Sequence, residues 1–261
     1  MLHHTPLGQA TVYIETYTPS LLVPIARPNP REFFGYDLWH GYEVSWLDPQ
    51  GKPCVASAEF IFPCASPYLI ESKSFKLYLN SFNQTPVESS EALQQLLIKD
   101  LSAATGAPVL VRLKTLAELT LEPLQRLTGI YLDEIAIACD TYKVQPDYLH
   151  TQENEVTQTV YSHLLKSNCP VTNQPDWGSI EICYRGKQIH HADLLRYIVS
   201  FRNHQDFHEQ CVERIYTDIL QRCKPSQLKV SAFYTRRGGL DINPVRANYD
   251  IPIEPRRLGR Q

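Results

Sequence analysis

The pattern Tyr78-x-x-Ser81-Phe82 recurs as Tyr197-x-x-Ser200-Phe201, and the elements around the two copies come in the same order. A duplicated unit buries its apolar face twice in the same way, which narrows the chain to two like modules. Its 261 residues permit this. Two units of about 130 residues can each hold a core.

The first module opens with residues 1–37, which read as irregular because Pro6, Pro19, Pro24, Pro28 and Pro30 interrupt them. Aromatic and β-branched residues from Tyr36 to Asp48, a turn at Asp48-Pro49-Gln50-Gly51, and alternation from Val55 to Phe62 predict a hairpin. Phe75, Tyr78, Leu79 and Phe82 fall at i, i+3, i+4 and i+7, so 71–82 is a helix with Lys73, Lys76 and Asn80 on its polar face. A second helix over 89–103 and strands at 109–113 and within 127–138 complete the module.

The polar, aperiodic stretch 141–156 reads as a linker between a module at 1–140 and another at 157–261. The second module repeats the order, with strands at 157–165 and 178–184, helices at 190–201 and 207–221, and a strand at 228–234. Each unit is then β-β-α-α-β-β. The class is α+β, with two helices on one face of an antiparallel sheet.

Seven cysteines at scattered spacings, with no Cys-x-x-Cys, argue against a disulfide framework and for a reducing, cytoplasmic setting. A net charge of −3 supplies no general field for nucleic acid. No apolar run approaches the length of a transmembrane helix, and the N-terminus carries no signal-peptide pattern. Gly-x-Gly-x-x-Gly is absent, so a dinucleotide-binding Rossmann unit is excluded.

The stretch with most chemical promise is Asn168-Cys169-Pro170-Val171-Thr172-Asn173-Gln174-Pro175-Asp176-Trp177-Gly178. It sets a loop cysteine seven residues before a carboxylate. An accessible cysteine becomes a nucleophile when cations, helix N-termini or a proton acceptor favour its thiolate. The plainer reading is a buried loop cysteine and a solvated turn aspartate. Glu209 has its own plain reading, as the closing member of a capping box begun by Asp206. Lys73 alone reads as a solvated lysine.

Glu71-Ser72-Lys73-Ser74-Phe75-Lys76-Leu77-Tyr78 fits in full the octapeptide signature of the NADPH-dependent 7-cyano-7-deazaguanine reductases, the nitrile reductases of queuosine biosynthesis. The Cys169–Asp176 stretch, Phe207-His208-Glu209 and Arg236-Arg237-Gly238-Gly239 also resemble that family, in the right order. The resemblance runs from residue 36 to residue 250 and is to its longer, two-module form. It implies tandem tunnelling-fold modules and reduction of a nitrile on a deazaguanine base (preQ0) to a primary amine (preQ1) with two NADPH and no metal. The signature lies in the N-terminal half and the nucleophile in the C-terminal half.

The resemblance also implies roles. Cys169 attacks the nitrile carbon to give a thioimide, and Asp176 carries the proton. Glu209, Glu71, Ile70, Ser72 and His208 contact the base, while Ser72, Lys73, Arg237 and Gly238 contact NADPH. A small-molecule partner and a homodimer are expected. One rival reading is a zinc hydrolase like GTP cyclohydrolase I, with His204, His208 and Cys211 spaced as ligands on one helix and Cys169 as a fourth. Another is a non-catalytic purine- or pterin-binding module. The N-terminal half, without a Cys/Asp loop before its first helix, reads as a scaffold that lends the NADPH-facing helix.

Overall fold

The computed structural model describes residues 14–28 and 32–261. The irregular reading of the first 37 residues falls in part on 1–13 and 29–31, including Pro6 and Pro30, which lie outside the described residues. In chain order the first half forms β1 (Pro24–Ala26), β2 (Phe34–Leu47), β3 (Pro53–Pro63), β4 (Tyr68–Ile70), α1 (Ser72–Asn80), α2 (Ser90–Thr105), β5 (Leu110–Lys114), α3 (Leu116–Leu121) and β6 (Ile130–Tyr131). The second half forms β7 (Thr151–Asn168), β8 (Pro175–Ile189), α4 (His191–Ser200), α5 (His208–Cys223), β9 (Gln227–Tyr234) and β10 (Leu240–Ala247).

Eight strands make one sheet in the order β5-β3-β2-β10-β9-β8-β7-β6. Every neighbouring pair is antiparallel except β6–β7. The halves meet where β10 lies against β2, in a register from Leu240↔Gly41 to Ala247↔Phe34. Alternation along the strands sorts the side chains onto two faces. On one face α1 and α2 cover Trp39, Phe60 and Phe62 with Phe75, Tyr78, Leu93 and Leu97. Further along, α4 and α5 cover Ile180, Ile182 and Val230 with Leu194, Tyr197, Ile215 and Ile219. The opposite face, which includes Tyr36 and Leu38, receives Ile251 and Ile253 of the C-terminal tail. This is the expected α+β arrangement, with two helices on one face of the sheet in each half.

The letter repeat is also a packing repeat. Tyr78 and Tyr197 each donate to an aspartate on the following helix, Asp100 and Asp218, at 2.8 Å. Ser81 and Ser200 each donate back to the carbonyl of that tyrosine at 2.6 Å. The Tyr78–Phe82 and Tyr197–Phe201 rings meet edge to face, at 5.4 and 5.3 Å between centroids.

Four expectations need correction. The linker is shorter than 141–156, because Thr151 onward already belongs to β7 and Glu155 and Val156 pair with Lys187 and Gly186. Its polar composition reflects a strand end whose side chains are mostly exposed. The strand sought within 127–138 shrinks to Ile130–Tyr131 and pairs with β7 of the other half. Residues 240–247, to which no strand was assigned, form β10, a central strand despite Pro244. Asp176 is not in a loop but is the second residue of β8.

Candidate functional site

The β7–β8 hairpin carries the first two site residues. Its strands pair up to Ser167↔Asp176 and Asn168↔Pro175, leaving 169–174 as the loop. Cys169 N–H donates to the Gln174 carbonyl, and Asn173 N–H donates to the Cys169 carbonyl, both at 2.9 Å. That ring needs a left-handed residue, which asparagine supplies with φ +57° at Asn173. Asn168 N–H donates to His204 O at 2.7 Å, so the cysteine is moored to the connection between α4 and α5.

Asp176 is buried, and Arg237 hydrogen-bonds its Oδ1 while also reaching Gln174. His208 Nε2 stands 3.6 Å from the same Oδ1. Burial alone raises this carboxyl, but His208 and Arg237 outweigh it and hold Asp176 below the usual carboxylate range. Cys169 is partly exposed. Its burial also acts upward, yet hydrogen bonds from the Thr172 hydroxyl and the Thr172 and Val171 backbone bring the thiol below its ordinary value. A thiol that ionises easily beside an ionised carboxylate is equipped for attack and proton transfer.

These groups open onto a cavity of about 590 Å³ at the seam between the halves. The N-terminal half contributes Glu71, Ser72, Lys73 and Lys76 from the start of α1. The C-terminal half contributes Cys169, Asp176, His208, and Arg237 and Gly238 of the β9–β10 turn. Eight of the ten expected site residues therefore line one cavity. Ile70 and Glu209 are not among its lining residues but are buried, each only 2% exposed, next to Glu71 and His208, which are.

Local chemistry explains each placement. Glu71 caps α1, accepting from Lys73 N–H at 2.9 Å and Ser74 N–H at 2.7 Å, so its carboxylate already has partners. His208 is the first residue of α5, and its ring meets Tyr234 edge-on at 4.2 Å. The capping box at Asp206 and Glu209 does not form. Phe207 holds the cap position with no side-chain bond, and Asp206 Oδ1 instead accepts from Phe207 N–H at 2.9 Å. Glu209 Oε1 is left buried without a hydrogen-bond partner. Burial, reinforced by Asp37, pushes its carboxyl up to about 6. A buried orphan acceptor is costly unless a ligand satisfies it.

Lys76 was read from the sequence as solvent-facing. It sits three residues from Lys73 on the face away from the core, but the second half covers that face. Burial and then Arg237 lower its pKa. A dinucleotide phosphate group suits this wall. Lys73, Lys76 and Arg237 supply charge, and Gly238 (φ +60°) supplies backbone approach where a Cβ would meet Lys76 Cδ at 3.3 Å. The single helix on which the zinc reading placed its ligands does not form, because His204 follows a short 3-10 turn and precedes α5, where His208 and Cys211 lie.

Known proteins resemble this chain over most of its length. Residues 13–113 match the model described as "Nitrile reductase, 7-cyano-7-deazaguanine-reductase N-term", and residues 175–252 match "QueF-like protein". A protein of Cupriavidus pinatubonensis is 55% identical over 95% of both chains. One of Cupriavidus metallidurans is 54% identical over 99% of this chain and 98% of its own. One of Burkholderia thailandensis is 53% identical over the same shares. All three carry the name NADPH-dependent 7-cyano-7-deazaguanine reductase.

Proposed function

The chain belongs to the 7-cyano-7-deazaguanine reductase family, and on that premise we infer an NADPH-dependent nitrile reductase that works in the cavity at the seam. The substrate is 7-cyano-7-deazaguanine, and the product is its 7-aminomethyl counterpart on the route to queuosine. The observation that carries the residue assignment is the convergence of Cys169, Asp176 and His208 from one half with Ser72 and Lys73 from the other.

NADPH bound against Ser72, Lys73, Lys76, Arg237 and Gly238 supplies a hydride for each of the two reductions. The chain does the rest. Asp176 takes the thiol proton, and the Cys169 thiolate attacks the nitrile carbon. A carbon–sulfur bond forms, one π pair moves to nitrogen, and Asp176 returns the proton there to give a thioimide. After the first reduction the nitrogen lone pair expels the thiolate, the carbon–sulfur bond breaks, and an imine remains for the second reduction. The two hydrides and one further proton complete the amine, and a second proton from solvent restores the Cys169 thiol. His208, held between Tyr234 and Asp176, keeps its ring beside the carboxylate. Glu209 accepts from the donor edge of the base, filling the vacancy at its Oε1.

The same reading makes the protein a cytoplasmic homodimer without direct nucleic-acid contact. Support comes from the seven cysteines at scattered spacings, the net charge of −3, and the two strands, β5 and β6, that end the sheet. Among the described residues no helix is long and apolar enough to cross a membrane. The activity is tested by counting: two NADPH oxidised per 7-cyano-7-deazaguanine, with the amine as product, is expected. Oxidation of one NADPH per base, or none, would overturn the assignment.

A further inference from the structure

Beneath Glu209 lies a closed ring of four buried charges from four separate elements. Arg27, just after β1, pairs with Asp37 of β2 and stands 3.5 Å from Glu213 of α5. Arg246 of β10 pairs with Asp37 at 2.8 Å and with Glu213 at 2.7 Å. None of the four is more than 8% exposed. Arg27 is fixed further by Ser66 Oγ at 3.2 Å, and Arg246 by the Tyr36 carbonyl at 3.1 Å. Two cations and two anions balance, so Glu209, one turn before Glu213, is the extra negative charge in this interior.

We propose that the Arg27–Asp37–Arg246–Glu213 ring is a positioning device for base recognition, pinning the start of α5 to the sheet and setting the field in which Glu209 meets its ligand. This rests on the reading of Glu209 as the acceptor for the base. Three observations carry it. Buried ion pairs are a weak source of stability, because desolvation consumes the Coulomb gain, so a ring of four calls for another use. Its anchor Glu213 shares a helix face with Glu209 at i+4 spacing, so α5 cannot rotate without breaking it. Finally, the ring's members act on Glu209 in opposite senses: Asp37 raises its proton affinity, whereas Arg27 lowers it. His208 on its own helix also lowers it.

The consequence is specific. A guanine-like base presents donors, so it needs Glu209 ionised, and binding falls as pH drops through about 6. Removing the Asp37 charge moves that acid limb to lower pH. Removing the Arg27 charge moves it to higher pH. A ring that served only as a strut would weaken binding at all pH values and leave the midpoint alone.

The experiment uses full-length Cys169→Ala, which binds without reacting, with 7-cyano-7-deazaguanine titrated by calorimetry from about pH 5 to about pH 8. Added Asp37→Asn is expected to lower the midpoint by about one pH unit, and Arg27→Met to raise it similarly. Arg27→Lys keeps the charge and is expected to hold the midpoint in place. Glu209→Gln is expected to abolish the limb. Shifts in the same direction, or none, would overturn the proposal. If Arg27→Met does not fold, the Asp37→Asn shift decides alone. If the parent protein shows no base binding at any pH, the nitrile-reductase reading itself falls and takes the proposal with it. A normal parent limb with unmoved variants sinks the ring alone.

Discussion

In the N-terminal half Tyr78 of α1 ties to Asp100 of α2, and in the C-terminal half Tyr197 of α4 ties to Asp218 of α5, with the same atoms at the same distance. Around that shared joint the halves diverge. The β2–β3 hairpin closes on itself, with Asp48 N–H bonded to Lys52 O and Gly51 N–H to Asp48 O, both at 2.9 Å. The β7–β8 hairpin opens into the cysteine loop. Helix α2 starts with Ser89 bonded to Ala92 N–H at 3.1 Å and leaves its second residue, Glu91, in solvent. Helix α5 starts without a side-chain cap and buries its second residue, Glu209. The two halves share the core joint and differ at the hairpin tip and the second helix start. At these two places the N-terminal half satisfies its polar groups internally, whereas the C-terminal half opens the Cys169 loop onto the cavity and leaves Glu209 Oε1 without a hydrogen-bond partner.

The sharpest stability contrast sets the seam against the sheet edge. Arg246→Met leaves Asp37 and Glu213 short of a partner in the interior and is expected to cost about 3–5 kcal/mol in chemical denaturation. Arg112→Met, at a half-exposed pair whose Glu59 keeps Lys114, is expected to cost about 1 kcal/mol or less. Equal losses would remove the seam as a distinct electrostatic centre.

Next in size comes the pair of helix-start carboxylates. Glu209 has its folded pKa raised from 4.5 to about 6, so the folded state prefers it protonated. Relative to a neutral side chain, stability is intact below pH 4.5 and falls as pH rises through about 6. Glu209→Gln is therefore expected to stabilise the ligand-free protein at pH 7 by up to about 2 kcal/mol while weakening base binding. The gain should vanish near pH 4.5. Glu91→Gln in solvent should show neither effect. Melting curves at the two pH values decide it, and a destabilised Glu209→Gln at neutral pH would contradict the strain assigned to that carboxylate.

The smallest effect tests the likeness instead of the difference. Tyr78→Phe and Tyr197→Phe each remove one hydrogen bond to a carboxylate that keeps another donor, Tyr17 for Asp100 and Arg214 for Asp218. Each is expected to cost about 1 kcal/mol, and the two costs should match. A clear inequality in denaturation midpoints would mean that the joints are alike in geometry only.

Local periodicity carried the fold a long way. The helix of 71–82 declared itself through Phe75, Tyr78, Leu79 and Phe82, and α2, α4 and α5 did so within one or two residues at most ends. The site loop was legible because Cys169, two prolines and Asp176 stand close in sequence. Strand β10 was not, since Asn243-Pro244 reads as a turn, and only the pairing of Pro244 with Asp37 across the seam makes it a strand. Lys76 was misplaced for a related reason: a helical wheel separates core from non-core but does not know which polar face another half will cover. The charge ring left no local trace. Arg27, Asp37, Glu213 and Arg246 come from both ends of the chain, and only the closed sheet brings them together.

Intact-protein mass after mixing with 7-cyano-7-deazaguanine, before any NADPH is added, tests the central claim most directly. Wild type is expected to gain the full mass of the base, and Cys169→Ala to gain nothing, since addition of a thiol across a nitrile expels no atom. An unmodified wild type that still consumes NADPH, or an adduct that persists in Cys169→Ala, would place the covalent chemistry elsewhere and contradict the account.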